Sequence, residues 1–310
     1  MFACLHAPDF PVQAAVRLDA ALRQQPVAIL DGSPPLQKVI ALNSQARKQG
    51  MYLDMTKSQA ELFGAKLCQR NRAQEAAATQ ALLDCAFAFS PRVENAAENK
   101  DRVILDIDGL ERLHGDAESI GQALQQIGSS LGFDLNVGIA SNPDATTLAA
   151  YGFSGVTVVP PGCEQKRFGP LPIGILDLSS ELQETFCTWG IYTLQALADL
   201  PEIGLIERVG QEGKRLQTLA RGVSQRPLIP KEPELKFEES LELEFPIELL
   251  EPLTFVLARL LQPLCARLAA RGLAAGTISL TLELNPNECP FNVIAMDQEH
   301  KDSKESRSTR

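Results

Sequence analysis

The sequence predicts an α+β protein built on a mixed sheet. Three observations lead there. Short apolar runs of strand length alternate with 3.6-period segments of helix length. The alternation lacks the strict βαβ rhythm of a doubly wound parallel sheet. Aromatic content is low, 5%, against abundant alanine and leucine, which favours helix. At 310 residues and 45% apolar composition, the chain can enclose two or more cores.

Phe2 to Leu5 reads as a buried strand, broken by Pro8 and Pro11. Val12 to Arg23 carries a helical pattern through Ala14, Ala15, Leu18 and Leu22, and Pro26 to Leu30 is a second strand. Gly32 to Pro35 is a turn, Val39 to Leu42 a third strand, and Asn43 to Gly50 a short helix ending at glycine. Thr56 to Phe63 and Ala73 to Phe89 read as helices; Ser90 to Glu94 and Arg102 to Ile107 as a hairpin-like strand pair. Glu118 to Leu131 is an amphipathic helix and Asn136 to Ala140 a core strand. Asp144 to Tyr151 is a helix capped near Asn142, with Pro143 in its first position.

Composition shifts after Pro160-Pro161-Gly162. From Leu176 to Gly222 short helices are expected, interrupted at Trp189-Gly190-Ile191 and at Pro201 to Gly204, with Trp189 in their core. Pro227, Pro230 and Pro233 mark a linker. Beyond it come a strand at Phe237 to Phe245, a long helix at Glu248 to Gly272 and an alternating strand at Thr277 to Leu284. Such a β-α-β unit leaves open edges, so this last domain reads as incomplete; Asp297 to Arg310 reads as a disordered, solvated tail.

A net charge of −10 argues against a uniformly basic nucleic-acid binder but not against a local basic groove. No run of about 18 apolar residues is free of charge, so no membrane span is expected. The first residues carry no basic segment followed by an apolar one, hence no secretory signal. Seven scattered cysteines without a CxxC pair read as reduced, mostly buried thiols of a cytoplasmic protein. No G-x-x-x-x-G-K-[ST] occurs, and three histidines offer no Ser-His-Asp set. His6 has no second ligand at metal-binding spacing.

Four blocks, in order, resemble the DinB/UmuC (Y-family) translesion DNA polymerases: Val39 to Met51 with Asn43, Ala46, Arg47 and Gly50; Leu105-Asp106-Ile107; Val137-Gly138-Ile139-Ala140-Ser141-Asn142; and Leu219-Ala220-Arg221-Gly222. The likeness spans roughly residues 1–285 and is nearest to the catalytically degenerate ImuB-type members. It implies a palm from 1–10 and 75–165, small fingers at 11–74, a helical thumb at 166–230 and a partial α+β little finger at 233–290.

The family joins nucleotides with two Mg²⁺ ions roughly 3.5–4 Å apart, held by hard carboxylate oxygens. By resemblance those carboxylates are lost here at Leu5, Ala7 and Arg102, leaving Asp101 as the one vestigial acid beside a guanidinium that repels metal. Recruiting Asp9 instead would carry a ligand past Pro8 and off the strand. Of the family's triphosphate clamp, Arg47 remains as a vestigial nucleotide-binding residue, while Ser44 and Thr147 stand where Tyr and Lys are usual. Asp106 reads as ordering a strand end and Asp108-Gly109 as a turn.

In the helical block the first hairpin, at Leu178 to Ser180, lacks its glycine turn. The segment with Gly210, Gly213, Lys214 and Arg215 offers glycines and two cations for DNA phosphates, with Lys166, Arg167 and Arg221 nearby in sequence. The resemblance thus implies a non-catalytic DNA-repair protein of the SOS response, with no cofactor, binding damaged primer–template DNA. Its implied partners are an error-prone C-family polymerase, a RecA-like accessory protein and the sliding clamp, although no clamp-binding peptide follows Ile278. The competing expectation is an active, Mg²⁺-dependent error-prone polymerase.

Overall fold

The computed structural model describes residues 1–95, 100–232, 235–241, 243 and 246–282. Two sheets and a helical block organise them. In chain order the elements begin with β1 (Phe2–His6), α1 (Phe10–Val16), α2 (Ala20–Arg23), β2 (Val27–Asp31), β3 (Lys38–Leu42), α3 (Ser44–Lys48), α4 (Lys57–Glu61) and β4 (Lys66–Gln69). Then come α5 (Arg72–Phe87), β5 (Val93–Glu94), β6 (Arg102–Asp106), α6 (Glu111–His114), α7 (Ala117–Ser130), β7 (Asn136–Ala140), α8 (Pro143–Gly152) and β8 (Val156–Val158). The helical block holds α9 (Glu164–Phe168), a 3₁₀ turn (Ile173–Ile175), α10 (Ser180–Thr188), α11 (Leu194–Ala198), α12 (Glu202–Val209) and α13 (Gln211–Arg221). A long helix, α14 (Leu250–Ala270), follows.

The larger sheet has the order β5-β6-β1-β7-β8. β1 runs antiparallel to both neighbours, while β7 and β8 are parallel, so the sheet is mixed as expected. Strand alternation divides the faces. Ala3, Leu5 and Ala7 enter the main core with Val103, Leu105, Val137 and Ile139, beneath α5 and α7. Cys4 turns the other way, with Ile104 and Ala150, towards α8. The smaller sheet, β3-β2-β4, pairs β2 with β3 antiparallel and with β4 parallel.

The sequence blocks have local physical causes. Asn43 caps α3 by accepting from Ala46 N at 2.9 Å, and also accepts from Val27 N at 3.1 Å, tying the helix to β2. Gly138 lets α8 lie close on β7, for a Cβ there would stand 2.4 Å from both Ala150 N and Thr146 O. Thr146 Oγ1 donates to Gly138 O at 2.6 Å across the same contact. Asn142 caps α8 through Ala145 N, with Pro143 opening the helix, and its amide donates to Gly222 O at 2.8 Å. Gly222, at φ 70°, ends α13 where a Cβ would meet Glu164 at 2.6 Å. The Val137–Asn142 and Leu219–Gly222 blocks therefore meet, and they join sheet to helical block.

Several expectations are corrected. The helix expected over Val12 to Arg23 is two, because the Asp19 carboxylate accepts from Ala21 N and Leu22 N and starts α2. The break expected at Pro201 to Gly204 falls at Asp199 to Pro201: Pro201 caps the start of α12, where its missing N–H costs nothing, and Gly204 lies inside the helix. β4, α6 and β8 were not expected. Among the described residues no strand forms at 237–241 or 277–282; the remainder of Phe237 to Phe245 apart from Leu243, the end of the run to Leu284 and the tail at 297–310 lie outside the described residues. Of six described cysteines only Cys4 and Cys85 are buried, where burial pushes each thiol up to about 12; Cys163, Cys187 and Cys265 are exposed. Trp189 lies at the edge of the helical core rather than in it, edge-on to Phe186 with Arg208 over its ring.

The long helix α14 is long and apolar enough to cross a membrane by length and composition. It carries Arg259 and Arg267, however, and Arg267 is its buried residue. That guanidinium reaches Asp84 of α5 at 2.8 Å, Glu239 at 3.2 Å and the carbonyls of Lys236 and Glu238. Glu239 also pairs with Arg17 at the end of α1. The helix thus docks through charge and turns Leu250 and Phe255 outward.

Candidate functional site

The site lies where β1 ends beside the start of β6. Register pairs His6 with Arg102, and Ala7 N donates to Asp101 O at 2.8 Å. Because side chains alternate, Leu5 and Ala7 point into the core and His6 is the strand residue facing Asp101. Leu5 and Ala7, read as the lost acidic positions, thus lie in the core. Carboxylates at those positions would be buried among alkyl side chains, away from Asp101.

His6 Nε2 stands 3.5 Å from Asp101 Oδ2, and His6 Nδ1 lies 3.3 Å from Ala150 O. Tyr151, at the end of α8, stacks on the imidazole with centroids 3.8 Å apart and planes inclined by 11°. Its hydroxyl donates to Asp101 Oδ2 at 2.7 Å. The Arg102 guanidinium lies over the other ring of the pair, 5.8 Å from the Tyr151 centroid. Burial pushes the Asp101 carboxyl up, but the hydrogen bonds and charge of His6, with the Tyr151 hydroxyl, outweigh it and hold Asp101 below the usual carboxylate range. Burial and the Asp101 carboxylate push the Tyr151 phenol well above its ordinary value.

These residues do not fit a pair of Mg²⁺ ions. Such ions need several oxygen ligands each, in near-octahedral geometry. Among the described residues Asp101 is the one carboxylate where β1 ends beside β6, its Oδ2 already engaged, with an imidazole in front and a guanidinium beside it. Among the described residues no three His, Cys, Asp or Glu side chains converge as a metal site.

A cleft of about 310 Å³ opens beside Asp101 between Phe10, Pro11, Arg70, Glu75 and Lys100. Its cations are answered by carboxylates. Arg70 binds Glu75 at 2.7 Å and Asp31 at 3.0 Å, and Lys100 lies 4.0 Å from Glu75. Arg47, on α3, donates from both terminal nitrogens to the two oxygens of Asp9, each at 2.6 Å. Those bonds push Arg47 further above its ordinary value. A larger cleft, about 520 Å³, runs from Asp101, Arg102 and Tyr151 past Thr147 to Asp177 and Gln183 in the helical block. Thr147 lines it, and its hydroxyl donates back to Pro143 O. Ser44 is exposed at the start of α3.

The residues read as contacting DNA lie apart, on α12 and α13. Gly210, at φ 77°, stands at the junction of the two helices. Gly213 is a packing glycine: a Cβ would sit 2.9 Å from Leu205. Lys214 pairs with Glu202 at 2.8 Å and Arg215 with Glu212 at 2.6 Å, both exposed. Arg221 donates twice to Ala198 O, Arg167 covers the Phe153 ring, and Lys166 is exposed. Asp106 pairs with Arg92 and accepts from Asp108 N, as a strand-end residue does.

Two participants are not assigned this role from the sequence, where His6 is weighed as a metal ligand alone. His6 could have been found from the period of two, since Ala3 and Leu5 in the core place it on the opposite face. Tyr151 lies four residues after Thr147, one helical turn along the same face of α8.

Residues 5–150 match the impB/mucB/samB family. A protein named DNA polymerase IV from Dehalococcoides mccartyi (strain CBDB1) is 29% identical over 224 residues, 70% of this chain and 56% of its own length. Another of that name, from Desulfatibacillum aliphaticivorans, is 28% identical over 175 residues, 53% of this chain and 44% of its own. The chain therefore spans about half the length of these relatives. Its fold is that of DinB from Sulfolobus solfataricus, with a TM-score of 0.61, 20% identity, and coverage of 75% of this chain and 70% of that one. Its mixed sheet, its helical block and these matches together make the chain similar in sequence and fold to the Y-family polymerases.

Proposed function

We propose that the chain is a non-catalytic, DNA-binding member of the Y-family polymerase superfamily, of the ImuB type, acting as a bridging subunit in error-prone bypass of damaged DNA. One observation carries this reading: among the described residues a single carboxylate at these strand ends, Asp101, is taken up by Tyr151 and faced by His6. In the same reading the five-stranded sheet is the palm, the three-stranded sheet the fingers and α9 to α13 the thumb, with α14 in a partial little finger. DNA would be met by the segment from Gly210 to Arg215 and by the walls of the larger cleft. An error-prone C-family polymerase, a RecA-like protein and the sliding clamp are the proposed partners, and the cytoplasm the proposed place.

Primer extension with the purified chain tests it. With Mg²⁺, deoxynucleotides and a primer–template, no extension above background is expected, while the chain still retards the labelled DNA. The competing reading, an active error-prone polymerase, has the names of the relatives in its favour. Extension that disappears in Asp101→Ala would establish it and remove ours.

A further inference from the structure

We propose that Asp9 is a built-in occupant of the Arg47 guanidinium, an internal carboxylate that keeps polyphosphate off that arginine. The inference deepens the non-catalytic reading above and rests on it. A guanidinium fork accepts carboxylate and phosphate oxygens in the same bidentate geometry, so a carboxylate seated there excludes a phosphate. Asp9 is so seated, with two bonds of 2.6 Å to Arg47.

Two features of Asp9 mark this contact as imposed rather than incidental. Its backbone is left-handed, φ 50° and ψ 43°, a conformation uncommon for residues other than glycine. It also stands at the start of α1, where an aspartate ordinarily turns its side chain back to accept from the first helical amides. Here the side chain makes no such bond and reaches instead to a residue 38 positions on. The local interactions that normally hold an N-terminal aspartate are given up for the arginine.

The surroundings agree in charge. Arg70 and Lys100, the cations of the neighbouring cleft, are met by Asp31 and Glu75. Asp9 differs from those two acids in one respect. It holds a more exposed guanidinium than they do, the Arg47 side chain being 45% exposed against 28% for Arg70, so releasing it presents a half-exposed guanidinium to solvent. The ligand class that would then bind is a polyphosphate, a nucleoside triphosphate included.

Asp9→Asn is the direct test. Asparagine keeps the shape and tolerates the left-handed backbone, so the fold should persist, as circular dichroism can verify. Binding is read by titrating tripolyphosphate and, separately, deoxyadenosine triphosphate, both without divalent metal. Asp9→Asn should bind tripolyphosphate at least tenfold more tightly than the unaltered chain, and Asp9→Asn with Arg47→Ala should return to the unaltered level. Equal binding by Asp9→Asn and the unaltered chain overturns the proposal, as does gained binding that survives loss of Arg47. Tighter deoxyadenosine triphosphate than tripolyphosphate would add base recognition to the released site; equal binding would confine it to phosphate. None of these titrations depends on primer extension, so the internal-occupant proposal and the non-catalytic reading can fail separately.

Discussion

Tyr151 governs the state of Asp101 by giving a buried carboxylate a hydrogen bond and covering the imidazole opposite it. Tyr151→Phe keeps the stacking and removes the donor, at a cost of about 1.5 kcal/mol to stability by urea denaturation. The folded chain holds the Asp101 proton less tightly than the unfolded one does. Its contribution is therefore fully present above the ordinary carboxylate value, near pH 4, and is lost as pH falls through the lower folded value. The stability gap between the unaltered chain and Asp101→Asn should accordingly narrow as urea unfolding is repeated at falling pH. An unchanged gap would mean that Asp101 is not held as described. These residue-level pairings were poorly legible beforehand. Asp9 and Arg47 are 38 residues apart, and nothing local announces their contact.

Among the elements, strands and helices with strong periodicity or caps were legible: β1, β2, β3, α5, α7, β7 and α8 fall where the pattern places them. β4 was missed because Lys66-Leu67-Cys68-Gln69 neither alternates nor carries β-branched residues, and β8 is only three residues long. Thr277 to Leu282 alternates well yet forms no ladder, since alternation describes a face and a strand also requires a partner edge. The docking of α14 through Arg267 was invisible for the opposite reason, an arginine behaving as a core residue.

That ion pair makes a sharp prediction. Burial pushes Asp84 up against the pull of Arg267 and Arg271, so its charge leans on those two guanidinium groups. Arg267→Ala should cost about 3–5 kcal/mol in urea unfolding followed by circular dichroism. Asp84→Leu combined with Arg267→Met should recover much of that loss, giving a favourable coupling in a double-mutant cycle. Additive losses would show that the pair is not coupled. Gly138→Ala, which drives a methyl against two backbone atoms of α8, should cost about 1–3 kcal/mol or more.

For the whole molecule, acidic residues outnumber basic ones on the fold of a polymerase. The net charge is −10, and the cations at both the cleft and the α12–α13 junction are paired with acids. DNA binding should then be modest and strongly salt-dependent. Lys214→Ala with Arg215→Ala should weaken primer–template binding irrespective of sequence and flatten the log–log salt slope by about 2 at most, as measured by fluorescence anisotropy. An unchanged slope would move the DNA contact away from α13. The family likeness was legible over most of the chain because its blocks carry caps and close-packing glycines, whereas the site residues needed the fold to show which way β1 faces.

The most direct measurement is a count of bound Mn²⁺ by electron paramagnetic resonance. It would be made with primer–template and a non-hydrolysable deoxynucleotide, comparing the chain with Asp101→Ala. No ion lost on that substitution is the predicted result. Two tightly bound ions in the unaltered chain, both released by Asp101→Ala, would contradict it.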